Sequence, residues 1–267
     1  MFVLSVCSLK GGVGKTSVAL GLASAALAKG VPTLVVDLDP QADATTGLDL
    51  PEDAQPQAHL ADLLGSGRRP TLDALATASG WSDGVIGRLD VIAGSDASAA
   101  LDGPRSHIRS RNRLADVLHG DSGYRLAILD CPPSFGALTR SALGASDRAV
   151  VVSEPALFSV SAADRALRAI DALRRAGATS LQPLGVMVNR YRERSPEHRY
   201  RMQELTELFG PLVLTPSIPE RSALQQAQGA SQPVHRWPGE AAQELSEAFD
   251  AQLARVLRVA SRTRRTG

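Results

Sequence analysis

The chain has 267 residues, with 29 Lys and Arg against 28 Asp and Glu, 43% hydrophobic residues and 4% aromatic residues. That length buries a core without staples, and a formal charge of +1 excludes a histone-like tail protein or an acidic disordered chain. Two cysteines, Cys7 and Cys131, cannot build a disulfide framework, and no apolar run approaches the roughly 18–20 residues of a membrane span, so a cytoplasmic globular protein is expected.

In chain order, short β-branched apolar runs alternate with helical patterns. Phe2–Ser8, Thr33–Leu38, Leu89–Ile92, Leu126–Leu129, Ala149–Ser153 and Leu184–Val188 read as strands. Lys15–Lys29, Arg105–Leu118, Gly136–Gly144, Ser161–Ala176 and Glu197–Phe209 read as helices, with one short helix around His59–Leu64 in a polar stretch. A last helix, Glu240–Ala260, carries an apolar stripe through Ala242, Leu245, Phe249, Leu253 and Val256, and the basic tail 261–267 is expected to fray. Near-continuous apolar strands separated by helices predict a doubly wound, mostly parallel α/β sheet with helices on both faces, in one domain over 1–260.

The first strand runs into Lys10-Gly11-Gly12-Val13-Gly14-Lys15-Thr16-Ser17 and then a helix. Glycines let successive backbone N–H groups turn inward around a phosphate, and the helix N-terminus adds partial positive charge. Lys15 would reach the terminal phosphates and Thr16 would give a hydroxyl to Mg²⁺. The strict P-loop pattern is not met, because its first glycine would fall at Leu9. The chain has instead the variant K-G-G-x-G-K-[ST], and two of its three lysines lie in this turn.

On these residues the chain resembles the deviant-Walker ATPases, which include the ParA and MinD proteins. Asp37-Leu38-Asp39-Pro40-Gln41 is similar to the family's D-x-D-P-Q block, and Ile128-Leu129-Asp130-Cys131-Pro132-Pro133-Ser134 to its Walker B and switch segment. The resemblance implies ATP and Mg²⁺ as cofactors and a homodimer that sandwiches ATP, with Lys10 crossing to the nucleotide of the second subunit. It implies catalytic roles for Lys10, Lys15 and Asp39, with Asp39 orienting the attacking water, and a metal site at Thr16, Asp39 and Asp130. Asp37 either supports the metal's hydration shell or caps a loop. Asn189 and Pro219 are implied beside the purine, although an Asn closing a strand is also a common turn residue.

Several functions share this loop, and fold alone does not choose among them. An iron–sulfur carrier needs interface cysteines, whereas Cys7 and Cys131 read as core hydrophobes. A MinD-like membrane ATPase needs bulky apolar residues facing lipid at its C-terminus, and only Ala260 is apolar after Val259. A ligase-type relative needs a pocket for a small acid, for which no residue pattern is visible. A ParA-type positioning ATPase needs a nonspecific double-stranded DNA surface. Arginines at Arg190, Arg192, Arg262, Arg264 and Arg265 are the candidates, with a solvated charged face as the plain alternative. Glu220 stands where many ParA proteins carry arginine, which suggests that the DNA surface is weaker or lies elsewhere. The first strand starts at Phe2, so no helix-turn-helix extension is expected. These features predict an ATPase that associates with the nucleoid when ATP-bound and is stimulated by a ParB-like or cargo-adaptor partner.

Overall fold

Six consecutive buried residues, Phe2–Cys7, form strand β1 in the middle of an eight-stranded sheet. The structure is a computed structural model. It describes residues 1–51, 58–65, 70–84, 86–102, 113–120, 122–177 and 180–266, with side chains to 263. β1 is flanked by β5 (Leu126–Asp130) and β6 (Arg148–Ser153). Beyond β5 lie β2 (Thr33–Asp37), β4 (Leu89–Ile92) and β3 (Ala76–Ala78). Beyond β6 lie β7 (Gln182–Val188) and β8 (Val213–Leu214). Every pairing is parallel except β3 on β4, so the expected doubly wound architecture is what the chain adopts.

Parallel strands buried on both faces require two cores, and two are present. One face carries α1 (Lys15–Ala28), α9 (Ser222–Gly229) and α10 (Glu240–Thr266), packed through Leu22, Leu224, Leu245, Phe249 and Leu253. The other carries α3 (Leu60–Gly65), α5 (Arg113–Leu118), α6 (Ala137–Gly144), α7 (Leu157–Arg175) and α8 (Pro196–Phe209). Two short helices, α2 (Asp43–Gly47) and α4 (Leu72–Leu75), complete the set. α1 and α10 approach closely at Gly21, where a Cβ would lie 2.2 Å from the Phe249 ring. The glycine that interrupts the apolar pattern of α1 is therefore the seat of the largest fully buried side chain on α10.

The structure departs from the sequence expectations at identifiable places. α7 begins at Leu157, four residues before Ser161, directly after the break at Pro155. Residues 105–112 of the helix expected over Arg105–Leu118 lie outside the described residues, and 113–118 are helical. β3, β8 and α9 were not anticipated, because two- and three-residue strands and an eight-residue polar helix leave little periodic signal. α10 does not end at Ala260 but continues to Thr266. No Gly or Pro interrupts it before Gly267, and the Ser261 and Thr263 hydroxyls donate back to the carbonyls of Arg258 and Val259. Among the described residues no helix is long and apolar enough to cross a membrane.

Candidate nucleotide site

The phosphate loop connects β1 to α1 at the carboxyl edge of the sheet, where open α/β folds collect ligands. Gly12 (φ 77°) and Gly14 (φ 81°, ψ 39°) take left-handed conformations, and Gly14 caps the N-terminus of α1 without a side chain. Gly11 and Gly12 are exposed, and a Cβ on Gly12 would meet nothing within 4 Å. Lys15 is buried at the first position of α1, and Thr16 and Ser17 line a cavity of about 250 Å³ with Asp43, Thr46 and Gln228.

Two carboxylates meet beneath it. Parallel register pairs Asp37 of β2 with Asp130 of β5, and both are fully buried. Asp37 uses both oxygens: one accepts from the Asp39 N–H (3.1 Å), the other from the Thr45 N–H (2.8 Å) and hydroxyl (2.7 Å). Thr45 in turn accepts from the Gly94 N–H at 2.9 Å. Both Asp37 oxygens thus brace the loop that follows β2. Burial raises its pKa to about 6, opposed by the Thr45 hydrogen bonds. Asp130 is different, because neither of its buried oxygens completes a hydrogen bond. Burial and then the adjacent Asp37 charge push its pKa up to about 8, although the Thr16 hydroxyl and Lys15 lie near enough to pull it down. Asp39 is half-buried, and its Oδ1 accepts the Gln41 N–H at 3.1 Å.

Lys10 does not line the cradle. Its Nζ donates to Ser159 Oγ at 3.0 Å and lies 3.7 Å from Glu154 Oε2, on its own chain. Asn189 is buried at the end of β7, its amide donating to the Val13 carbonyl at 2.9 Å while its Oδ1 is buried without a partner. Pro219 is bridged to Tyr191 and borders a cavity of about 420 Å³ with Pro216, Ser217 and Arg221, which no phosphate-loop residue lines. Of the arginines proposed for DNA, Arg190 donates to the Gly12 carbonyl and to Glu154, each at 2.8 Å, and Arg192, more than half exposed, pairs with Glu220. Arg262 is exposed on α10, and the side chains of Arg264 and Arg265 lie outside the described residues.

Two residues near the site left no sequence signal. Glu154 gathers Lys10 and Arg190. Asp102 accepts from the Ser134 hydroxyl (2.9 Å) and the Leu138 N–H (3.0 Å), tying the segment after β5 to a distant turn. Cys7 and Cys131 are buried and free, and burial raises both thiols, Cys7 to about 12, as befits small core residues.

Residues 1–182 match a protein family described as an AAA domain. The chromosome partitioning protein ParA of Caulobacter vibrioides is 30% identical over 239 residues, covering 87% of this chain and 85% of that protein. The chain belongs to the ParA/MinD family of P-loop ATPases. Among solved structures, an ATP complex of McdA from Cyanothece superposes with a TM-score of 0.81 at 23% identity, over 96% of each chain. Cobyrinic acid a,c-diamide synthase from Mycobacterium smegmatis, with ADP and magnesium, superposes with a TM-score of 0.77 at 22% identity, over 97% of this chain and 94% of that one. At these identities the superpositions establish a shared fold, which McdA and a synthase have in common. The family's ATP and Mg²⁺ fit the residues present: the open glycine turn leaves room for phosphate, and the buried Asp130 oxygens, beside Thr16, would suit a hydrated cation.

The strain at Asp130 is measurable without ligand. Its folded pKa, about 8, stands above its ordinary 3.8, so the folded chain keeps a proton that the unfolded chain has released. The stability this gives is complete below pH 3.8 and is lost as pH rises toward 8. Asp130→Asn keeps the shape without the charge. At pH 7 it is expected to stabilise the nucleotide-free chain by up to about 4 kcal/mol, or roughly 5–10 °C, with no gain near pH 4. A pH series of thermal melts checks this, and a constant difference across the series would assign the effect to packing.

Proposed function

We propose that this chain is a ParA-type, Mg²⁺-dependent ATPase that forms an ATP-sandwich dimer, binds DNA nonspecifically, and positions or segregates a cargo with a stimulating partner. The observation that carries the reading is the glycine turn with Lys15 buried at the start of α1 and Lys10 held away from it by Ser159. Lys15 would stabilise charge on the β- and γ-phosphates, Thr16 and Asp130 would hold Mg²⁺ and its waters, and Asp39 would orient the attacking water. Bound Mg²⁺ would supply charge neutralisation at the transferred phosphoryl group. Asn189 retains an unpartnered acceptor with which it could receive the adenine amino group.

The choice among branches rests on α10. Its apolar stripe packs on the sheet, with Ala242, Leu245, Phe249, Leu253, Val256 and Ala260 all buried, which disfavours its use against lipid. Arg255, Arg258 and Arg262 follow at helical spacing of three and four and share one side of the helix. Arg258 and Arg262 are exposed there and Arg255 reaches the Thr215 carbonyl, so this side of α10 joins Arg190 and Arg192 as a proposed DNA surface. Two copies in a dimer would present about six arginines, giving a log–log salt slope near −5 for duplex binding. The expected result is strong duplex binding only with ATP, and a shallower slope for Arg255→Ala/Arg258→Ala/Arg262→Ala. ATP-dependent binding to anionic liposomes and none to DNA would establish the membrane branch instead.

A further inference from the structure

Two successive peptide groups of the phosphate loop are gripped from behind by the two residues that follow β7. The Asn189 amide donates to the Val13 carbonyl at 2.9 Å, and the Arg190 guanidinium donates to the Gly12 carbonyl at 2.8 Å. In a trans peptide the carbonyl and the next residue's N–H point in opposite directions. Drawing these two carbonyls toward β7 therefore aims the N–H groups of Val13 and Gly14 to the opposite side. There they join the N–H groups of Lys15 and Thr16, which as the first of α1 have no acceptor within the helix. Four consecutive donors then converge, which is the arrangement that a phosphate needs.

The grip is built at some cost. Arg190 sits at φ 56°, a left-handed conformation unfavourable for a residue with a Cβ. Its guanidinium is fixed between the Gly12 carbonyl and Glu154 Oε1, which accepts from the same nitrogen at 2.8 Å. Asn189 is 1% exposed, and it fits only because Gly14 is glycine: a Cβ there would lie 2.3 Å from its amide nitrogen. A strained backbone held by a charge pair and a buried amide packed on a glycine converge on the same two peptides.

We propose that Asn189 and Arg190, with Glu154 anchoring the guanidinium, are positioning residues that preset the Val13 and Gly14 N–H groups for the terminal phosphates of the nucleotide. This rests on the nucleotide-binding reading above and assigns Arg190 a task other than DNA contact. The test titrates MgADP and, separately, inorganic pyrophosphate into wild type, Arg190→Gly, Arg190→Lys and Glu154→Gln, alongside the melting temperature of each free chain. Glycine suits the left-handed backbone, so Arg190→Gly should melt within a few degrees of wild type. It should nevertheless bind both probes at least tenfold more weakly. Arg190→Lys should recover part of the loss, because an ammonium can still reach the carbonyl or Glu154, and Glu154→Gln should fall between Lys and wild type. A wild-type affinity of Arg190→Gly for both probes would overturn the proposal. So would a loss of duplex binding in that variant with MgADP affinity intact, which would return Arg190 to the DNA surface. Failure of wild type itself to bind MgADP would overturn the nucleotide reading and this inference with it.

Discussion

Asp39→Ala is expected to bind MgATP as wild type does and to hydrolyse it at least about 100-fold more slowly, the scale on which a group that activates a nucleophile contributes. The side chain has a small structural part: its carboxylate accepts the Gln41 N–H, while the Asp39 backbone is held by Asp37, so the loop keeps its main anchor without it. Lys15→Ala is expected to fail earlier, at binding, because it removes a buried positive charge from beneath the phosphates. Nucleotide titration and single-turnover hydrolysis of the two variants should therefore fall into different classes. Hydrolysis by Asp39→Ala at the wild-type rate would mean that another group orients the water.

The carboxyl edge of the sheet was legible because its chemistry is local in sequence. The glycine turn, Asp37–Asp39 and Asp130 each follow an apolar strand, and parallel pairing brings three strand ends together without further information. What could not be read was what faces them from afar. Glu154 is a single acid after a strand, and only the folded chain shows that it collects Lys10 from the first strand's loop and Arg190 from another. Arg190 and Arg192 looked like a basic patch because Glu154 and Glu220, their partners, lie 36 and 28 residues away. The same distance effect hid Asp102, whose contacts with Ser134 and Leu138 cross more than thirty residues. Asp37 illustrates the converse, since its loop-capping partner Thr45 lies only eight residues on, but a carboxylate beside a nucleotide motif invites a ligand role first.

The second large effect concerns Lys10. In the Asp39→Ala background, where ATP should remain uncleaved, light scattering is expected to show a dimer with MgATP, and Lys10→Ala/Asp39→Ala should stay at the mass of one chain. The resting contacts of Lys10 make this a fair test of a role between subunits. Its ammonium is hydrogen-bonded to Ser159 and only 3.7 Å from a partly exposed Glu154, and such exposed pairs contribute about 0–1 kcal/mol. So weak a hold contributes little to the fold that its loss would disturb in the variant, and it does not prevent the lysine from leaving for a phosphate of greater charge. Ser159→Ala sharpens the distinction. If Ser159 merely parks the lysine in the free chain, its removal should leave the ATP-dependent dimer intact and lower the MgATP concentration at half-assembly. A dimer formed equally well by Lys10→Ala/Asp39→Ala would leave the lysine as a surface residue tied to its own chain. Loss of the dimer in both Lys10→Ala/Asp39→Ala and Ser159→Ala/Asp39→Ala would instead make the Lys10–Ser159 contact part of the assembled interface.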